Sequence, residues 1–257
     1  MTLHIDVTLD YRFDAPTDCL LQISAAPMAD QRILSEELDL GGLVTRTNRA
    51  EDEVGTRLWC RPEERLTCRY RADVEILRST SDIATLSGHA PAELPEDVVK
   101  YLLPSRYCPS DKFLAFVAQE FGRFSGGEKI AAMRDFVFEN VAYTPGVSNS
   151  ETSALETFVQ RQGVCRDFAH LLITLARAGT IPARFASTYG LNVTPPDFHA
   201  VAEVWLDGAW RLVDPTRMTI PFDNARICVG RDATDVAFLT SYGPAELVTQ
   251  SVRVDAS

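Results

Sequence analysis

Several common features are missing from this chain. Its first residues, Met1-Thr-Leu-His-Ile-Asp-Val-Thr, have no basic stretch followed by an apolar one, so no secretory signal is expected there. No apolar run approaches the roughly 18 residues that a membrane-spanning helix requires. No C-x-x-C pair occurs, which argues against a structural zinc site. Positive charge is in short supply: 25 Lys and Arg against 36 Asp and Glu leave a net charge of −11. Nucleic acid and anionic membrane surfaces both call for basic patches, so neither is expected as a partner. Internal repeats and low-complexity segments are absent as well.

Cysteine is present but not patterned. Cys19, Cys60, Cys68, Cys108, Cys165 and Cys228 are scattered through 257 residues. This is no disulfide framework, and a cytoplasmic, reducing location is the expectation. Hydrophobic residues make up 46% and charged residues 24%, enough to build a sizeable core in one large domain or two ordinary ones.

The first third alternates with a period of two. Leu3, Ile5, Val7, Leu9, Tyr11 and Phe13 are interleaved with His4, Asp6, Thr8, Asp10 and Arg12, and Leu66 to Ile76 repeats the pattern. Each run predicts a strand with one wet face, as in an antiparallel sheet. Shorter candidates are Cys19 to Ser24, Ile33 to Leu40 and Val54 to Cys60. Ser79 to Pro95 loses the period and reads as a linker. Helical texture follows in Asp111 to Phe124 and Ile130 to Val141, with S-x-x-E capping spacing at Ser125–Glu128 and Ser153–Glu156. Strands are expected again at 183–189, 199–206, 210–213 and 246–254. The fold class is therefore α+β. An N-terminal β-sandwich-like domain is expected over 1–85 and a catalytic α+β domain over 95–257.

Chemistry concentrates in the second half. Gly163-Val164-Cys165-Arg166-Asp167-Phe168-Ala169-His170 opens an apolar-periodic helix that Gly179 closes. A thiol in the first helical turn lies beside free backbone N–H groups and the positive end of the helix dipole, and both favour thiolate. His199 and Asp214 follow on two strands separated by Asp207-Gly208, a strong hairpin signal. With a two-residue turn, Leu206 pairs Ala209 and Asp214 falls opposite Val201. His199 is then the diagonal neighbour of Asp214, about 7–8 Å away along the backbone and within side-chain reach. Cys165 would present its sulfur over that sheet face, with its helix packed on the sheet.

The segments Gly163–His170, Gly179-Thr180-Ile181-Pro182-Ala183-Arg184, Asp197-Phe198-His199-Ala200 and Trp210-Arg211-Leu212-Val213-Asp214-Pro215-Thr216 together resemble the core of the bacterial transglutaminase-like superfamily. The resemblance covers roughly 95–220. It implies a papain-like fold and a catalytic triad of Cys165 as nucleophile, His199 as base and Asp214 as the group orienting the base. It also implies an extra N-terminal β domain like that of many bacterial members. One departure is Val201, where many relatives carry an aromatic residue two positions after the histidine.

The chemistry expected is thiolate attack on a peptide or carboxamide carbonyl to give a thioester. Hydrolysis, as a protease or amidase, is the first reading, and transfer of the acyl group to an amine is the alternative. A non-catalytic peptide-binding or partner-binding scaffold is the reading from another class. The expected partner is a peptide or protein substrate bearing an amide. No cofactor and no metal are expected, and the oligomeric state is left open. The Cys165 backbone N–H is a natural oxyanion donor; Asn140, Tyr143, Gln160 and Gln162 are candidates for a second. His170, five residues beyond Cys165, points elsewhere on the helix and is expected to pack structurally. Asp167 suits a helix start by its charge alone. Asp214→Asn is expected to leave the fold intact.

Overall fold

A computed structural model describes residues 1–79 and 81–257; Thr80, inside the expected linker, lies outside the described residues. The alternating N-terminal run forms β1 (Thr2–Arg12), followed by β2 (Cys19–Leu21), β3 (Gln31–Asp39), β4 (Arg46–Arg49), β5 (Thr56–Cys60) and β6 (Arg65–Ile76). After short 3-10 turns the helices are α1 (Glu96–Val99), α2 (Leu114–Phe121) and α3 (Gly126–Asn140). Next come β7 (Ala142–Tyr143), α4 (Ala154–Gln160), β8 (Gln162–Gly163) and α5 (Cys165–Ala178). The chain ends with β9 (Ala183–Gly190), β10 (His199–Leu206), β11 (Ala209–Val213), β12 (Asn224–Gly230), α6 (Ala233–Val236), β13 (Leu239–Ser241) and β14 (Glu246–Ala256).

Among the described residues three four-stranded antiparallel sheets form, ordered β14-β1-β6-β3, β13-β2-β5-β4 and β11-β10-β9-β12, with β7 and β8 as a small parallel pair. In β1 and β6 the buried and wetted positions alternate as the sequence predicts. Leu3, Ile5, Val7 and Leu9 face inward and share a core with Cys19, Leu21 and Cys60 of the second sheet. That core runs on into α5 and the third sheet without a break.

One expectation is corrected. Dividing the chain into 1–85 and 95–257 puts its last strands in the wrong unit. β13 pairs with β2, and β14 pairs with β1 along nearly its whole length, so residues 239–256 complete the two N-terminal sheets. An alternating strand advertises which face is buried but not which edge it will join.

Buried charges also tie the units together. Glu203 on β10 is fully buried and accepts from Arg184 on β9 and Arg226 on β12. Arg226 continues to Asp30, and Arg184 to Asp52, both in the N-terminal segment. Arg78 donates to Asp30 and to the side chain of Gln31, and so fastens the end of β6 into the same network.

The two expected helix caps behave differently. Ser153 and Glu156 form the reciprocal capping box, with Ser153 N–H donating to Glu156 and Leu155 N–H to Ser153 Oγ. Ser125 occupies the cap position of α3 without a side-chain hydrogen bond. That helix start instead presses Gly126 and Gly127 onto the backbone of Ile83, Leu86 and Gly88, an approach that leaves no room for a Cβ.

Candidate active site

The start of α5 shows why its sequence reads as it does. Asp167 is buried, and its Oδ2 accepts the Val164 backbone N–H at 2.8 Å, so the side chain closes the helix entrance. A Cβ on Gly163 would sit 2.6 Å from the Asp167 Cβ, which makes glycine necessary there. Cys165 thus begins the helix with its side chain half-buried. The other five cysteines are fully buried. Burial pushes the thiols of Cys19, Cys68 and Cys228 up to about 12 and that of Cys108 up to about 11, which holds them as inert thiols.

The hairpin register is the one the sequence predicts: Leu206 pairs Ala209, and the ladder runs on to Ala202 opposite Val213. Asp207 and Gly208 both have positive φ, as a two-residue turn of the I′ kind needs. One step past the ladder, the Asp214 Oδ2 lies 2.8 Å from His199 Nε2. The carboxylate is saturated with donors. Thr216 gives its backbone N–H and hydroxyl to Oδ1, and Thr219 gives the same two groups to Oδ2, at 2.7–2.9 Å. Asn224 on β12 fixes Thr219 through its amide and also accepts the Thr188 hydroxyl. Burial opposes the charge on Asp214, but the bonds from His199, Thr216 and Thr219 outweigh it and hold the carboxyl below its ordinary range.

His199 is almost wholly buried, with Nδ1 free of any well-formed hydrogen bond and available to the thiol. Burial alone would lower its pKa; the bonds to Asp214 and the nearby Cys165 side chain prevail and push it up to about 9. The structure therefore brings Cys165, His199 and Asp214 into one constellation. It also corrects the expected approach. Ala200, Ala202 and Val204 share a core with α5, whereas Val201 packs on the opposite side with Ala26, Val54, Ala186 and Leu212. His199 has the same parity as Val201, so the thiol reaches it where β10 begins, at the end of the sheet, and not above the sheet face.

Of the four candidates for a second oxyanion donor, Tyr143 and Gln162 lie on the β7–β8 pair beside Cys165, and Tyr143 is the one that interacts with the thiol. β7 pairs Tyr143 with Gly163, and the Tyr143 ring packs on Phe168, with centroids 5.9 Å apart. Its phenol is pushed up to about 12 by burial and then by the charge of the Cys165 thiolate, against a smaller lowering by the Cys165 backbone N–H. Asn140 is exposed and bonds the Phe136 carbonyl, while Gln160 is exposed at the far end of α4. Thr216, Thr219 and Asn224 carry no sequence signal of their own beyond proximity to Asp214.

His170 is structural. It stacks on Tyr107 at 5.0 Å, its Nε2 accepts the Ala233 N–H, and burial lowers its pKa to about 3, so it stays neutral. Among the described residues, no group of three or more His, Cys, Asp or Glu is arranged to hold a metal ion.

Residues 116–215, which contain all three of these groups, match the family described as the transglutaminase-like superfamily. Along 99% of its length the chain superposes on 90% of a "putative cysteine protease" from Cytophaga hutchinsonii, with TM-score 0.94 and 32% identity. It is 32% identical over 147 residues to an uncharacterised protein of Mycobacterium leprae, covering 53% of this chain and 52% of that one. A second mycobacterial relative, from Mycobacterium tuberculosis strain H37Rv, is 31% identical over 126 residues, which are 42% of this chain and 40% of the relative. The chain thus spans about half the length of the curated relatives it matches, or less. With its near-complete likeness to the Cytophaga hutchinsonii protein and a family match that takes in Cys165, His199 and Asp214, the chain belongs to the transglutaminase-like superfamily.

Proposed function

We propose that the chain is a cysteine-dependent hydrolase of peptide or carboxamide bonds in which Cys165, His199 and Asp214 act together. One observation carries this reading. The single half-buried thiol among six cysteines meets an imidazole whose far nitrogen is fixed by a fully bonded carboxylate. In the first step the Cys165 sulfur bonds to the acyl carbon while His199 gives its proton to the leaving amine, and a thioester forms. In the second step His199 takes a proton from water, the water oxygen bonds to the acyl carbon, and the thiol is released. Asp214 keeps the ring oriented and favours its charged form. The Cys165 N–H and the Tyr143 hydroxyl supply donors to the oxyanion of each tetrahedral intermediate. A peptide or protein is the partner, and free thiols throughout suit a reducing compartment.

Activity screening against a peptide library, with and without an added amine, tests the reading. Products heavier by water support hydrolysis. Products carrying the amine favour the acyl-transfer alternative, which the same triad serves. No turnover, with iodoacetamide labelling Cys165 no faster than free cysteine, favours a binding scaffold. Any activity should vanish in Cys165→Ala; full activity in that variant overturns the assignment.

A further inference from the structure

Asp197 stands two residues before His199, and no step above uses it. Its Oδ1 accepts the Phe198 backbone N–H at 2.7 Å and the side-chain amide of Gln250 on β14. The carboxylate is held in place from two sides while its outer edge stays exposed. It is also part of the active-site surroundings. It lies close enough to the imidazole of His199 and the phenols of Tyr143 and Tyr11 to interact with each, and burial raises its own carboxyl above the ordinary range against the bonds from Phe198 and Gln250. The same residue lines a cavity of about 400 Å³ between the 190–197 loop and β14, with Gly190, Val193, Ser251 and Arg253 among its walls. Arg253 and Asp255 of β14 line the same cavity.

We propose that Asp197 selects substrates bearing a positive charge, an ammonium or a guanidinium, next to the reacting carbonyl, and that the cavity beside β14 takes the chain carrying it. The proposal rests on Cys165 being the nucleophile. A fixed carboxylate at the mouth of a site raises the local concentration of cations, and the protein's net charge of −11 steers in the same direction. The C-terminal strand, through Gln250, is then part of the specificity apparatus.

The test needs no knowledge of the natural substrate. Methanethiosulfonates react when a thiolate attacks the sulfenyl sulfur: a disulfide forms, the S–SO₂ bond breaks, and methanesulfinate leaves with the electron pair. Rates are measured with the neutral methyl, cationic trimethylammonioethyl and anionic sulfonatoethyl reagents, each normalised to free cysteine. The cationic reagent should be favoured over the neutral one by roughly 10-fold in the intact protein. Asp197→Asn should bring that ratio close to one, Asp197→Glu should largely keep it, and 1 M salt should erase it in the unaltered chain. A ratio near one in the unaltered chain, or one unmoved in Asp197→Asn, overturns the proposal. Slow labelling by the neutral reagent that persists in Cys165→Ala instead overturns the nucleophile assignment. Two further arms locate the cation. Faster acylation by lysine than by alanine p-nitrophenyl ester, lost in Asp197→Asn, puts it on the acyl side. A raised KM for cadaverine, but not for hydroxylamine, in that variant puts it on an acceptor amine.

Discussion

The sheets β14-β1-β6-β3 and β11-β10-β9-β12 are both four-stranded and antiparallel, yet they meet water differently. In the first, β1 and β6 keep one face wet, and its charged residues pair across that face, as Asp6 does with Arg71. In the second, every residue of β9 and β12 is buried, and β10 is buried except at Trp205. Its buried charges are held in closed networks, with Glu203 set between two arginines. A sheet covered on both sides can hold an imidazole and a carboxylate away from solvent, where their interaction is strong. The wet-faced sheet could not.

The contrast is sharpest in the cost of removing a charge. Glu203→Ala would leave Arg184 and Arg226 without their shared partner, although Asp52 and Asp30 remain. We expect a loss of about 3–5 kcal/mol in urea unfolding. The matching change on the wet sheet, Asp6→Asn, should cost less than about 1 kcal/mol because both partners are exposed. Similar losses at the two sites would dissolve the distinction.

Next in size is Asp214→Asn. Both carboxylate oxygens accept a backbone N–H, one from Thr216 and one from Thr219, so an amide must set its NH₂ against a donor. The expectation from sequence that the fold is untouched is therefore replaced by an expected loss of about 1–3 kcal/mol. A drop of roughly 10–10³-fold in kcat should accompany it if Asp214 orients the base. Unfolding curves and a rate assay on one preparation separate the two effects.

A smaller effect is the pH response of His199. Its folded pKa of about 9 lies above the ordinary value near 6.5. The imidazolium's contribution is therefore present in full below about pH 6.5 and is lost as pH rises through 9. An NMR titration should show one imidazole titrating near 9, moved down in Asp214→Asn. A His199 imidazole titrating near 6.5 would contradict the geometry.

The same contrast explains what could be read from the chain. β1 and β6 were plain because alternation is the signature of a half-wet strand. The β10–β11 register followed from the Asp207-Gly208 turn, and with it the meeting of His199 and Asp214. β12 was missed because seven consecutive buried residues have no period, and Arg226 among them looks like a surface residue until Glu203 is found beside it. β4 was missed for the opposite reason, being exposed throughout. Thr219 reaches Asp214 across a turn that nothing in the local pattern encodes.

The place of β14 beside β1 has a consequence for how the chain acquires its shape. β1 can pair with β6 once the first 76 residues exist, but its other neighbour begins at Glu246. During synthesis the opening strand therefore carries an unsatisfied edge while some 170 further residues emerge, and such edges invite pairing with other chains. Contacts this distant in sequence also make the final closure slow. Protection of the β1 amides against exchange is expected to arrive in two stages, the second coinciding with the docking of the strand that bears Gln250.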